Sequence, residues 1–184
     1  NENETCPYVG IDNYHAGYHI TEKLIRSGHK HITCFSPKDP VFIVSERRRG
    51  YLTAMENYGL ASDFRCFESN EFGGIYQAIQ NMWNSENRAT AIFTPGGDMD
   101  AIECIKSAST LKIDIPDELS IAGFDDIYIS NIIKPALTTI RQPKFEMGVA
   151  AMRLLYKLIN NENLSKKGIL LPFEYVARES TRFI

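Results

Sequence analysis

Two acidic residues stand where a short apolar run stops. Leu119-Ser120-Ile121-Ala122-Gly123-Phe124 is bounded by Pro116 and Asp117 before it and by Asp125 and Asp126 after it. An apolar run of that length, closed off by turn residues, reads as a buried strand. In an open parallel sheet, ligands sit beyond the carboxyl ends of the strands, so an acid there points into a cleft. The competing reading is that Asp125 or Asp126 caps a short helical stretch at 127–132. A second candidate is the basic run Arg47-Arg48-Arg49 at the start of a helical segment. Such a run is ordinarily a solvated face, but one guanidinium turned inward would present several donors in one plane. A donor fork, an acceptor carboxylate and an amide such as Gln142 suit a polyhydroxylated ligand such as a sugar, with no catalysis required.

Other constellations carry less. His15 and His19 lie four apart on one helix, but no third ligand stands near, so they read as exposed histidines rather than a metal site. His29 is placed to favour a helix C-terminus electrostatically. Gly96-Gly97-Asp98 lacks the spacing of a dinucleotide fingerprint and reads as a tight turn followed by an N-cap. There is no GxSxG, HExxH or Walker A pattern. A general base at Asp125 or Asp126 would need a partner group, and none is apparent, so no enzyme activity is assigned. No cofactor and no metal is implied.

These groups need a scaffold, and the chain's periodicity supplies one. Extended runs at Tyr8–Ile11, Ile32–Phe35, Phe64–Phe67, Ala91–Phe93 and Leu119–Phe124 alternate with helical patterns at 14–27, 45–57, 74–83 and from Asp98 onward. Ser45 is the expected cap of the second helix, and Gly28 the left-handed close of the first. Strands recurring every 25 to 30 residues with helices between them define βαβ units, hence an α/β fold with a parallel sheet. After Asp126 the rhythm changes to a strand at 137–140, an amphipathic helix at 146–159, and extended segments at 169–171 and 173–177. The chain has 184 residues, 43% hydrophobic and 23% charged, with net charge −3. That charge disfavours nucleic-acid binding by this segment itself. Cys6, Cys34, Cys66 and Cys104 are scattered and read as small buried hydrophobes in a reducing compartment. No run has the length of a membrane helix.

In their order along the chain, DNYHAGYHITEKLIRSGHKHI, SERRRGYLTAMENYGL, TAIFTPGGDMDA, IPDELSIAGFDDIYIS, PALTTIRQP, EMGVAAMRLLYKLI and ARESTRFI resemble the effector-binding part of LacI/GalR-type bacterial transcription regulators. The resemblance covers nearly the whole chain. It implies a type I periplasmic-binding-protein-like fold of two lobes, with a small effector (a sugar or a purine) bound between them. It also implies a cytoplasmic homodimer that reaches operator DNA through an N-terminal helix-turn-helix outside this chain. Arg47 corresponds to the family's ligand-clamping arginine, Asp125 to its cleft aspartate and Gln142 to a polar residue at ligand or hinge. Gly97 stands where the family often has Asn, which bears on ligand class, and Phe72 is a candidate pocket wall. Residues 12–141 and 172–184 would form the C-terminal lobe, and 142–171 would belong to an N-terminal lobe largely missing here. The helix at 146–159 would then be repacked or buried against another chain. A sugar-binding component of an import system shares the fold and is the alternative.

Overall fold

The computed structural model describes residues 6–37, 40–60, 65–68, 74–162, 164 and 168–184. Two compact units divide the chain: Asn13–Arg141 with Tyr175–Ile184, and Asn1–Asp12 with Gln142–Glu174.

The larger unit holds a parallel sheet of β2 (Ile32–Ser36), β3 (Arg65–Glu68), β4 (Ala91–Phe93) and β5 (Ser120–Ala122), in the order β3-β2-β4-β5. Registers run Ile32 with Ala91 and Ala91 with Ser120. The order turns about β2 and β4, which is the doubly wound arrangement. Isolated bridges continue it, pairing Ala122 with Thr138 and Asp125 with Arg141. β6 (Thr139–Arg141) pairs with the last strand, β8 (Glu174–Val176).

Strand side chains alternate between faces, and β4 shows both sides being filled. Ile92 enters a cluster with Phe35, Ile121, Ile79 and Met82 of α3 (Gly74–Trp83), and Ala101, Cys104 and Ala108 of α4 (Asp98–Thr110). Phe93 instead meets Tyr51 of α2 (Phe42–Asn57), with ring centroids 6.5 Å apart. Tyr51 is fully buried, and its hydroxyl donates to the Ile32 carbonyl at 2.8 Å. That bond avoids the cost of a dry, unpaired phenol.

α1 (Asn13–Arg26) lies against α2 at the closest approach the backbone allows. A Cβ on Gly17 would collide with the Arg47 carbonyl, and one on Gly50 with the Tyr14 carbonyl. Two glycines facing each other's helix thus bring the start of α2 next to the start of α1.

In the smaller unit, β1 (Tyr8–Ile11) pairs in parallel with β7 (Gly168–Leu171), and α5 (Lys144–Ile159) packs beside them. Only Leu154 of α5 is buried, while Phe145, Met152, Tyr156 and Ile159 are exposed. α5, β7 and Leu164 line a 620 Å³ trough, with Phe145, Val149, Leu154 and Ile169 among its walls. No helix among the described residues is long and apolar enough to cross a membrane.

Several expectations need correcting. α2 starts at Phe42 rather than Ser45; Val41 holds the cap position without a side-chain bond, and the Ser45 hydroxyl bonds back to the Pro40 and Val41 carbonyls. An apolar Phe42-Ile43-Val44 turn hid that start. Cys34 and Cys104 are buried, but Cys6 is exposed. Gly28 does take the left-handed conformation, with φ of 102°. His29 is not a cation at a helix end. It is buried, with its ring nitrogens bonded to the Thr90 hydroxyl and the Arg182 carbonyl, and burial lowers its pKa. The ring is neutral and ties β4's lead-in to the C-terminal segment.

A buried neutral imidazole has a calculable consequence for pH. The folded pKa lies below the ordinary 6.5, so the unfolded chain takes up a proton first as pH falls. The stabilisation is complete above about pH 6.5 and declines as pH drops below it. Half-buried His19, also shifted down by burial and by Lys23, adds in the same direction. Thermal unfolding followed between pH 7.5 and 5 is expected to show a falling midpoint, and His29→Gln is expected to flatten that slope.

Candidate functional site

Arg47 sits on α2 with its side chain 4% exposed. Burying a guanidinium is costly unless its donors and charge find partners. Nε donates to Asn13 Oδ1 at 2.8 Å, and Nη1 donates to the Pro95 carbonyl at 2.9 Å. Asn13 opens α1 and Pro95 lies in the turn after β4, so the fork is held from two directions. The guanidinium carbon stands 3.6 Å from the centroid of the Phe124 ring, a cation–π stack on a fully buried aromatic. Nη2 lies 3.7 Å from Asp125 Oδ1. That separation is too long for an N–H···O bond but close enough for strong Coulomb attraction. Burial lowers the Arg47 pKa to about 10, opposed by the charges of Asp125 and Asp98. The group therefore stays cationic at neutral pH.

Asp125 is the other pole. Its side chain is 30% exposed, against 4% for Arg47. The carboxylate thus borders the open side while the guanidinium forms the floor. Gly97, with φ of 142°, lies alongside, and a Cβ there would stand 3.1 Å from Asp125 Oδ2. Arg47, Asp125 and Gly97 are therefore brought together at the carboxyl ends of β4 and β5. Neither acid after β5 serves as the expected cap: the 3-10 turn Tyr128–Asn131 starts from Ile127, without a side-chain cap bond.

Asp98 also departs from its expected role. The N-cap of α4 is Gly97, and Asp98 is buried one position inside the helix. It accepts from Ser130 Oγ at 2.7 Å, Thr139 Oγ1 at 2.6 Å and the Ile127 amide at 2.9 Å. Desolvation raises its pKa, and those three donors pull it back. One carboxylate thereby joins α4, the 3-10 turn and β6. Asp98→Ala would leave three donors without this acceptor, two of them, on Ser130 and Thr139, fully buried. It is expected to lower unfolding free energy by roughly 3 kcal/mol, measured by urea denaturation.

Of the other candidates, Gln142 opens the second segment of the smaller unit, and its carbonyl accepts from the Lys144 amide at 2.8 Å. Phe72 lies outside the described residues. Arg49 pairs with Glu46 and stacks over Tyr14, so within this basic run Arg47 is the buried member. His15 is exposed, whereas His19 is half-buried against Tyr175. No group of three metal-capable side chains occurs among the described residues. Sequence reasoning missed Asn13, Pro95 and Phe124. Phe124 had one usable signal, its position at the end of the apolar run next to Asp125; Asn13, the first residue of α1, had none. A backbone carbonyl such as that of Pro95 has no sequence signal.

Residues 21–181 match the model of the periplasmic binding protein-like domain, and the chain belongs to that family. Its relatives are LacI-type transcription regulators. It is 32% identical over 180 residues to catabolite control protein A of Priestia megaterium, spanning 96% of this chain and 54% of that protein. With the HTH-type transcriptional repressor CytR of Escherichia coli K12 it shares 30% identity over 178 residues, spanning 96% of this chain and 52% of CytR. The chain thus spans about half the length of these relatives. Among solved structures, a LacI family regulator from Enterococcus faecium with bound ribose superposes with a TM-score of 0.87 at 29% identity, covering 96% of this chain and 65% of that one.

Proposed function

We propose that this chain is the effector-sensing portion of a LacI-type transcription regulator and that Arg47 and Asp125 hold a sugar. The observation that carries this reading is the buried, doubly anchored guanidinium facing a part-exposed carboxylate at 3.7 Å. A ligand hydroxyl can donate to Asp125 while accepting from Arg47 Nη2, and a furanose or pyranose offers adjacent hydroxyls for both. Gly97 leaves room beside Asp125 for the ring. Gln142 and Phe72 complete the candidate set. The relative with bound ribose makes a pentose the first ligand to test, and a purine nucleoside shares the same ribosyl hydroxyls. Binding that prefers one closure state of the two lobes shifts their population, which is the means of regulation. The chain acts by binding, not turnover. Import of a sugar is the less favoured reading, because the relatives named are regulators.

Two exposed apolar surfaces fit this reading. The α5 face and its trough in the smaller unit suit the remainder of a lobe, supplied by the part of such regulators that this chain does not span. In the larger unit, Tyr128, Ile129 and Ile132 are 87%, 43% and 53% exposed, and Met99 beside Asp98 is 65% exposed. Isolated apolar residues on a surface are ordinary, but a run of this kind marks an interface. A second copy of the chain is the proposed occupant, giving the cytoplasmic homodimer whose N-terminal helix-turn-helix heads would reach operator DNA.

A thermal-shift screen of pentoses, hexoses and purine nucleosides is expected to raise the melting point with ribose or a ribosyl compound. Arg47→Ala and Asp125→Ala should each weaken that binding at least about a hundredfold, since each strands the other's charge. Unchanged affinity in both variants, with the fold preserved by circular dichroism, would remove the assignment. For the dimer, light scattering on the full-length regulator should show a loss of dimer mass in the double variant Tyr128→Glu with Ile132→Glu. Tyr156→Glu on α5 should leave the mass unchanged.

A further inference from the structure

The residue after the candidate ligand carboxylate does something different from its neighbour. Asp126 is 10% exposed and bonded to two arginines: Arg141 Nε donates to Oδ2 at 2.5 Å, and Arg178 Nη2 donates to Oδ1 at 2.6 Å. Burial alone would raise its pKa, but the two guanidinium groups outweigh it and hold the carboxyl below its usual range. Arg178 is itself fastened to the segment leading into β6. Its Nη1 donates to the Leu137 carbonyl at 2.7 Å, and its amide donates to Thr138 Oγ1 at 2.9 Å.

The backbone explains why such a fastening is needed. Asp125 and Asp126 have φ values of 109° and 48°, two consecutive non-glycine residues in a conformation that L-residues avoid. Strained conformations of this kind persist only where the surroundings over-determine them. Here the Asp125 amide donates to the Ile140 carbonyl at 2.8 Å, and the Asp126 carboxylate grips the end of β6 through Arg141 and the segment after β8 through Arg178. In this conformation the Asp125 carboxylate lies 3.7 Å from Arg47 Nη2.

Position along the chain adds the second half. Arg141 is the last residue of the larger unit's first segment, directly before the crossing at Gln142. Arg178 lies three residues after the chain returns at Tyr175. Asp126 therefore bonds to one residue near each of two of the chain's three crossings, while its backbone adjoins the carboxylate of the candidate site.

We infer that Asp126 is a positioning residue. Its ion pairs with Arg141 and Arg178 hold Asp125 in its ligand-facing orientation and make that orientation sensitive to the chain path at the second and third crossings. The ligand part of this inference rests on the Arg47–Asp125 sugar reading. The loop part does not, and the experiment keeps the two apart.

Three variants, Asp126→Asn, Arg178→Gln and Arg141→Gln, would be compared with the unaltered chain by D-ribose calorimetry and by amide hydrogen exchange. Arg141 is 46% exposed, so its variant retains the fold even if the other two lose stability. Asp126→Asn is expected to weaken ribose binding about tenfold and to speed exchange of the Asp125 amide, while the Gly123 amide, which bonds to Thr138 at 2.9 Å, keeps its rate. Arg141→Gln should move both readouts in the same direction by less. The double variant Asp126→Asn with Arg178→Gln should lose no more affinity than the worse single one, because both remove one contact. Faster Asp125 exchange with unaltered ribose affinity would overturn the positioning role. If the unaltered chain binds neither ribose nor any other sugar or nucleoside of the thermal-shift screen, the sugar reading fails; unaltered Asp125 exchange in Asp126→Asn would overturn the loop clamp independently.

Discussion

A guanidinium taken out of water must be given back most of what water supplied, and the larger unit is arranged around meeting that demand for Arg47. An amide oxygen, a main-chain carbonyl, an aromatic face and a carboxylate surround it. They come from the start of α1, the turn after β4 and the end of β5. Those are the places where a parallel sheet converges its loops. The protein's own groups thus hold the charge at a fixed position, which would spare the proposed ligand the cost of ordering it.

Around that centre run two further carboxylates with separate tasks. Asp98 gathers three donors from the Ile127 amide, Ser130 and Thr139 and locks α4 to β6. Asp126 takes two arginines at the edge of the unit. Three acids placed within twenty-eight positions of one another along the chain therefore take different places: facing Arg47 at the open side, bracing the interior, and attaching the edge. What separates them is exposure: 30% for the Asp125 side chain, 10% for that of Asp126 and 1% for Asp98 as a residue.

How much of this could be read from the chain depends on the range of the cause. The β4 and α3 bounds and the left-handed Gly28 follow from local pattern: three apolar residues before a Pro-Gly-Gly break, a helical period, a glycine after it. Arg47 and Asp125 were legible as a donor and an acceptor, and family resemblance aligned them. Their partners were not. Asn13 lies 34 residues from Arg47 and Pro95 lies 48 away, and no local rule links them. Asp98 was misread for a related reason: an aspartate beside a helix start is ordinarily a cap, and its burial depends on Thr139, 41 residues on. Ser45 failed because an apolar turn preceded it and extended the helix backward.

The contact between α1 and α2 carries a consequence for how such a protein can change its chemistry over time. Gly17 and Gly50 leave the two helices touching main chain to main chain, with the residue at 47 forming part of that contact. A methyl group on either glycine would collide with the other helix's main chain, so the spacing that places residue 47 depends on both staying bare. Variation in this region must therefore leave the cation where it is, and position 97 is no freer, because a side chain there would meet both a φ of 142° and the Asp125 carboxylate.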